Sequence, residues 1–214
     1  MLKVQIMICL TLFMGVMLPL SAKAVRFGGE VYFSPQFGGT DFNATDGSVD
    51  HKKSWNFFYN MGFSLGLKGA LRTDIFSIGI STDLGWKEEA IEHRSAAGVS
   101  EYDYQMIRGY AGGYFTFGKV VYFYAGYDPI VYGKMTYTDN EHVNPFRRGD
   151  VLKGYAYSGG IGVEFPGSVG FLRFLGRTTI YNDVEFNGVQ RELPDSAYSK
   201  INTGELVVQF GSQF

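Results

Sequence analysis

Lys200-Ile-Asn-Thr-Gly-Glu-Leu-Val-Val-Gln-Phe-Gly-Ser-Gln-Phe214 is the stretch on which the fold turns. Counting back from Phe214, Phe210, Val208 and Leu206 share one parity, and Gln213, Gln209, Glu205 and Thr203 share the other. Successive side chains of a strand point to opposite faces, so this segment describes a strand with one apolar face and one wet face.

The same two-faced pattern recurs upstream. A first strand is expected from about Gly28 to Phe37. A second, Trp55 to Leu67, places Trp55, Phe57, Tyr59, Met61, Phe63, Leu65 and Leu67 on one face. The others are expected at Asp74–Trp86, Tyr102–Phe117, Val120–Tyr132, Leu152–Phe165 and about Gly170–Val184. Long polar stretches (38–54, 87–101, 133–151, 185–199) alternate with short turns near Lys68–Thr73, at Gly118-Lys119 and at Pro166–Val169. Short turns at one end and long loops at the other are expected of an even-stranded transmembrane barrel, whose strands need only ~10 residues to cross lipid. A soluble β-sandwich shares much of this composition, with 29 Gly, 15 Tyr and 19 Phe in 214 residues, but has no reason to alternate loop length.

At the other end, Met1–Ala24 reads as a cleaved secretory signal peptide. Lys3 supplies its positive start, Ile6–Leu20 its apolar core and Ala22-Lys23-Ala24 its small-x-small cleavage site. A retained anchor helix would need a longer apolar run. Cys9, the single cysteine, lies in this segment, so no thiol, disulfide or Cys-ligated metal is expected in the mature chain. Without Lys3 and Lys23, 17 basic residues face 21 acidic ones, a net charge of −4 that argues against nucleic-acid binding.

On this signal segment, the loop alternation and the terminal Phe214, the chain resembles the small eight-stranded outer-membrane barrels of the OmpA/OmpX type. The resemblance implies an all-β, closed, antiparallel, up-and-down barrel over residues 25–214, in the bacterial outer membrane with both termini periplasmic. It also implies recognition of the closing strand and Phe214 by the barrel-assembly machinery. Two-part members of that group carry a further periplasmic wall-binding domain; this chain stops at Phe214, and such anchoring is not expected. Aromatic belts would lie at both interfaces: Phe27, Phe76, Phe115, Phe117, Phe165, Phe171 and Phe214 at one, Trp55, Trp86, Tyr102, Tyr137 and Tyr155 at the other.

Strand parity directs Glu30, Gln36, Asn60, Tyr122, Asp128, Glu164, Arg173, Arg177, Glu205 and Gln209 into the lumen. In the fourth strand, Tyr104, Met106, Arg108, Tyr110 and Tyr114 share a parity and are assigned inward with Arg108, unless a bulge reverses part of it. The expected polar network thus comprises Glu30, Asn60, Arg108, Asp128, Glu164, Arg173, Arg177 and Glu205. Charges held away from bulk water need partners, so the set reads as a polar plug; the alternative is a gated narrow pore.

His51, His93 and His142 fall in three of the outer loops beside Asp50, Glu92 and Glu141. Such pairs suit metal binding or general-base work, yet no spacing completes a catalytic motif, and no catalytic, metal or cofactor residue is assigned. Arg147-Arg148 reads either as a solvated loop charge or as a contact to lipopolysaccharide phosphate. The functional expectation is a non-enzymatic envelope protein that contacts outer-membrane lipid, lipopolysaccharide or a surface ligand through loops 38–54, 87–101, 133–151 and 185–199. The alternatives are a narrow transport pore and a lipid-modifying enzyme.

Overall fold

The computed structural model describes residues 25–44, 50–53, 60–95, 98–139, 146–186, 188–192 and 198–214. Its strands are β1 (Arg26–Ala44), β2 (Asp50–Lys53), β3 (Met61–Arg72), β4 (Phe76–Ser95), β5 (Gly98–Gly118), β6 (Val121–Thr138), β7 (Val151–Glu164), β8 (Gly170–Phe186), β9 (Val189–Glu192) and β10 (Tyr198–Gln213). The four-residue strands β2 and β9 only extend the sheet at the loop end. The other eight form the wall, each pairing antiparallel with its neighbours. The wall closes because β10 pairs both β8 and β1, with Phe33 opposite Phe210 and Phe37 opposite Leu206. A closed wall leaves no unpaired edge for lipid to satisfy.

The alternation read from the sequence sets which face is which. Leu65 and Leu67 in β3 are 63% and 57% exposed, while Ser64 and Lys68, which flank them, are buried. The terminal strand behaves alike: Leu206 and Phe210 face outward, Thr203, Glu205 and Gln209 inward. Apolar side chains coat the outside and charges fill the inside, an arrangement that suits lipid as the surrounding solvent. The rim at the short-turn end is stitched through the backbone. Gly118 N–H donates to Ile75 O (2.8 Å), Glu164 N–H to Val120 O (2.8 Å) and Gln213 N–H to Val169 O (2.8 Å), and Gly29 and Phe214 exchange two further bonds.

The strands are longer than the hydrophobic pattern predicts. The expected loop 87–101 is mostly ladder, with Glu88 opposite Gln105 and Ser95 opposite Gly98. Likewise β1 runs to Ala44, β6 to Thr138, and β8 to Phe186; β2 and β9 occupy further parts of loops 38–54 and 185–199. Beyond the lipid slab both faces of a sheet meet water, so pairing continues while the apolar alternation that marks it disappears. β4 and β5, at 20 and 21 residues, rise roughly 50 Å at ~40° tilt, twice the apolar band of about 25 Å. At the opposite end β3 continues through Lys68 to Arg72. Trp55–Tyr59, expected to open that strand, lie outside the described residues.

β5 keeps its inward parity throughout: Tyr104, Met106, Arg108, Tyr110 and Tyr114 are all buried. The extra residues fall on its partner instead, once opposite Gln105–Met106 and once near Pro129. Between Asp128 and Val131 the register of β6 slips against both β5 and β7. Pro129 sits there, and a proline without an N–H cannot serve an unbroken ladder. One aromatic leaves its expected belt: Phe171 is buried inside the barrel, with the Arg173 guanidinium 4.0 Å above its ring. Tyr102 and Trp55 of the other belt have no described side chains.

Candidate functional site

The lumen is packed in four tiers. Nearest the short turns, Arg173 forks onto Glu30, Nη1 to Oε2 at 2.7 Å and Nη2 to Oε1 at 2.8 Å, while its Nε donates to the Tyr122 hydroxyl at 2.7 Å. Arg72 also pairs with Glu30 and donates to Gln213 Oε1 at 2.6 Å; Gln213 in turn donates to Glu164 Oε1 at 2.8 Å, so Glu164 belongs to the rim of this tier.

Above it, Lys68 is enclosed by the rings of Tyr32, Tyr114 and Tyr124, 4.9, 4.8 and 4.3 Å from their centroids. Its Nζ donates to Tyr124 Oη (3.2 Å) and Gln209 Oε1 (3.1 Å). Ring faces are worth about 2 kcal/mol or more each way to a desolvated cation, which offsets part of the cost of burying it. On the same level Arg177 binds Asp83 at 3.0 Å, with Asp128 buried nearby and electrostatically coupled to Arg177.

The third tier centres on Glu205, which takes Lys87 Nζ at 2.6 Å and Arg108 Nη2 at 2.7 Å. Lys87 also pairs with Glu89, which accepts from Tyr104. Arg108 reaches Gln36 Oε1 at 2.5 Å, and Gln36 donates to Ser64 Oγ at 2.8 Å. Asn60 stands slightly apart: its carbonyl oxygens accept Gly38 N–H from the main chain (3.0 Å) and Ala90 N–H on the side chain (3.0 Å), joining β1 to β4 across the start of β3.

These contacts span the barrel. Around the wall β8 lies four strands from β4, and β5 four from β10. Arg177–Asp83 and Arg108–Glu205 therefore run across the full diameter. Ion pairs thus occupy the lumen at three heights, and those at two of them run across it, as suits an eight-stranded interior just wide enough for side chains.

The fourth tier, at the loop end, is apolar. Met106, Met135, Leu152, Tyr181, Val184 and Ile201 enclose Phe146, which is fully buried and lies 5.9 Å from both Tyr104 and Phe186. A tight turn delivers it. Arg147 N–H donates to Asp150 Oδ2 (2.8 Å), Asp150 N–H to Arg147 O (3.1 Å), and Gly149 takes φ +99°, a value that suits glycine. Gly149 and Asp150 then clip back onto Met135 of β6, each at 2.9 Å.

Lys68, Asp83, Lys87 and Glu89 are lumen members that the sequence reading did not single out. Lys68 and Lys87 were expected in connections. Their parity held the signal: Lys68 continues the Ser64-Gly66 face, and Lys87 continues Ser81, Asp83 and Gly85. Ending each strand at its last large apolar residue hid them. Phe146 had no such signal, being a lone aromatic in a polar stretch.

A family model, the outer membrane protein beta-barrel domain, matches residues 9–214. The chain belongs to this family. Its place is therefore the outer membrane. Several solved structures share the fold, and two of them cover most of this chain. Ail, the attachment invasion locus protein of Yersinia pestis, crystallised with the heparin analogue sucrose octasulfate, is 13% identical, with TM-score 0.50, over 88% of this chain and 99% of that one. OprG from Pseudomonas aeruginosa is 14% identical, with TM-score 0.51, over 90% and 97%. No curated protein matches in sequence.

Proposed function

We propose that this is a non-conducting, non-catalytic outer-membrane protein that acts through the surface it raises above the membrane, in surface interaction or envelope integrity. In this reading the short turns and both termini are periplasmic, and the long segments 38–54, 87–101, 133–151 and 185–199 face outward. The closing strand ending in Phe214 is the part offered to the barrel-assembly machinery. The observation that carries the reading is the pairing of Arg177–Asp83 and Arg108–Glu205 across the lumen beneath the Phe146 stopper. A barrel whose interior is spent on holding itself together has its exposed ends left for function. The overshoot of β4 and β5 supports this, since lengthening strands beyond the lipid slab adds nothing to crossing it. The test is a planar bilayer containing the purified protein: no resolved opening steps are expected. Reproducible unitary openings would overturn the reading in favour of a pore.

A further inference from the structure

We infer that the outer face of β6 and β7 is a docking site for a phosphorylated glycolipid of the outer leaflet. The outward residues of these strands form a vertical gradient. Phe123 stands opposite Ile161, then Ala125 opposite Gly159, then Tyr127 opposite Tyr157, and Tyr132 opposite Lys153. The tyrosines form one cluster: Tyr127 stacks on Tyr157 at 5.1 Å, and Tyr155 packs edge-on against Tyr157 at 5.6 Å. Amphipathic rings of this kind settle at the height of lipid headgroups.

Cations follow immediately above. Lys134, exposed and outward, stands opposite Val151, one outward step beyond Tyr132. Arg147 and Arg148 are exposed on the turn that clips onto Met135, the residue next to Lys134. The turn is held from within by buried Phe146 and by Asp150, whose carboxylate is occupied with the Arg147 N–H. The arginines are therefore presented on an ordered support. Lys153 is matched with Glu185 at 3.7 Å and stands opposite Asp183, whereas among the described residues Lys134, Arg147 and Arg148 form no ion pair. From Tyr132 to Lys134 the rise is only ~5 Å at barrel tilt.

The partner must carry anionic groups at its head and apolar chains directly beneath, because the cations sit on top of a lipid-facing tyrosine surface. A bisphosphorylated acylated sugar has that shape; a soluble polyanion matches only the upper half. Guanidinium groups fork onto phosphate oxygens, and Lys134 adds a point charge beside them. The inference rests on the outward placement of the loop end proposed above, but binding itself does not depend on orientation.

The experiment uses the mature full-length barrel in zwitterionic detergent, titrated with bisphosphorylated hexa-acyl lipid A, with the same lipid enzymatically dephosphorylated, and with a heparin oligosaccharide. Retained ligand is read by native mass spectrometry. The triple variant Lys134→Gln/Arg147→Gln/Arg148→Gln should lose at least tenfold in affinity for the bisphosphorylated lipid, and added salt should weaken the wild type more than the variant. Arg26→Gln/Lys119→Gln, exposed at the opposite rim, should bind like wild type. All five side chains lie on the surface, and heat-dependent gel migration verifies folding of each variant. Unchanged affinity in the triple variant overturns the inference. So does equal binding of the dephosphorylated lipid, or heparin oligosaccharide binding as tight as lipid A with the same loss in the triple variant. A pore in the bilayer assay would overturn the non-conducting reading and leave this one standing.

Discussion

Replacing Glu205 by Gln perturbs the lumen where the most charge depends on one group. Glu205 accepts from both Lys87 and Arg108, at 2.6 and 2.7 Å, with the side chains of all three essentially inaccessible. The variant keeps shape and one acceptor oxygen but leaves two buried cations sharing Glu89 and the neutral Gln36. Breaking a buried pair by removing one partner costs about 3–5 kcal/mol, because the remaining charge has no solvent to return to. That corresponds to a loss of about two to nearly four orders of magnitude in the folded-to-unfolded ratio. Glu164→Gln is the internal comparison: Glu164 is only part-buried and bonds the neutral Gln213, so its loss should stay below about 1 kcal/mol. Both are measured by reversible urea unfolding in lipid vesicles, followed by tryptophan fluorescence. Adding Lys87→Met to Glu205→Gln should recover part of the loss, since the two changes act on one contact. Equal midpoints for Glu205→Gln and Glu164→Gln would refute the reasoning, showing that the third tier is solvated rather than sealed.

The wall makes its own predictions. Leu206→Arg, mid-wall and 46% exposed, should destabilise the vesicle-inserted barrel by ~2–4 kcal/mol, against about 0–1 kcal/mol for Asn202→Arg nearer the loop end, by the same unfolding assay. Phe146→Ala empties the apolar mouth and should cost ~3 kcal/mol, yet leave conductance absent because the ion pairs beneath still cross the lumen. Open channels in that variant would show that Phe146 alone keeps the barrel shut. Gly211→Val drives a side chain into the β1 backbone at Val31 and Tyr32, which cannot swing aside, so it should slow closure of the β1–β10 seam, seen as a smaller heat-modifiable fraction at a fixed folding time.

How far the sequence could be read depended on what surrounds each residue. Within the lipid slab one face meets hydrocarbon and the other a polar lumen, so Leu65, Leu67, Leu206 and Phe210 announce both strand and face by parity alone. Outside the slab that contrast vanishes. Residues 87–95 carry Lys87, Glu88, Glu89 and Glu92 with no apolar period, and they read as loop although the ladder continues through them. Lys68 failed for a related reason: a charge past the last leucine looks like a turn, until the strand is seen to run on to Arg72.

By itself the sequence determined the eight strands of the wall, its sidedness and the inward direction of Glu30, Arg173, Arg177 and Glu205, because period-two alternation is local and each strand carries its own; for Arg108 it left a bulge open, and the structure settled it. Only the tertiary structure decided who meets whom. Asp83 and Arg177 are 94 residues apart, and Glu205 joins Lys87 to Arg108 from the far wall. Such contacts depend on closure, register and the bulge at Pro129, which set the relative height of every strand around the ring. Phe146 belongs to the same class: no neighbour in sequence calls for it, and it is buried because a turn four residues long folds it over the mouth of a barrel already closed.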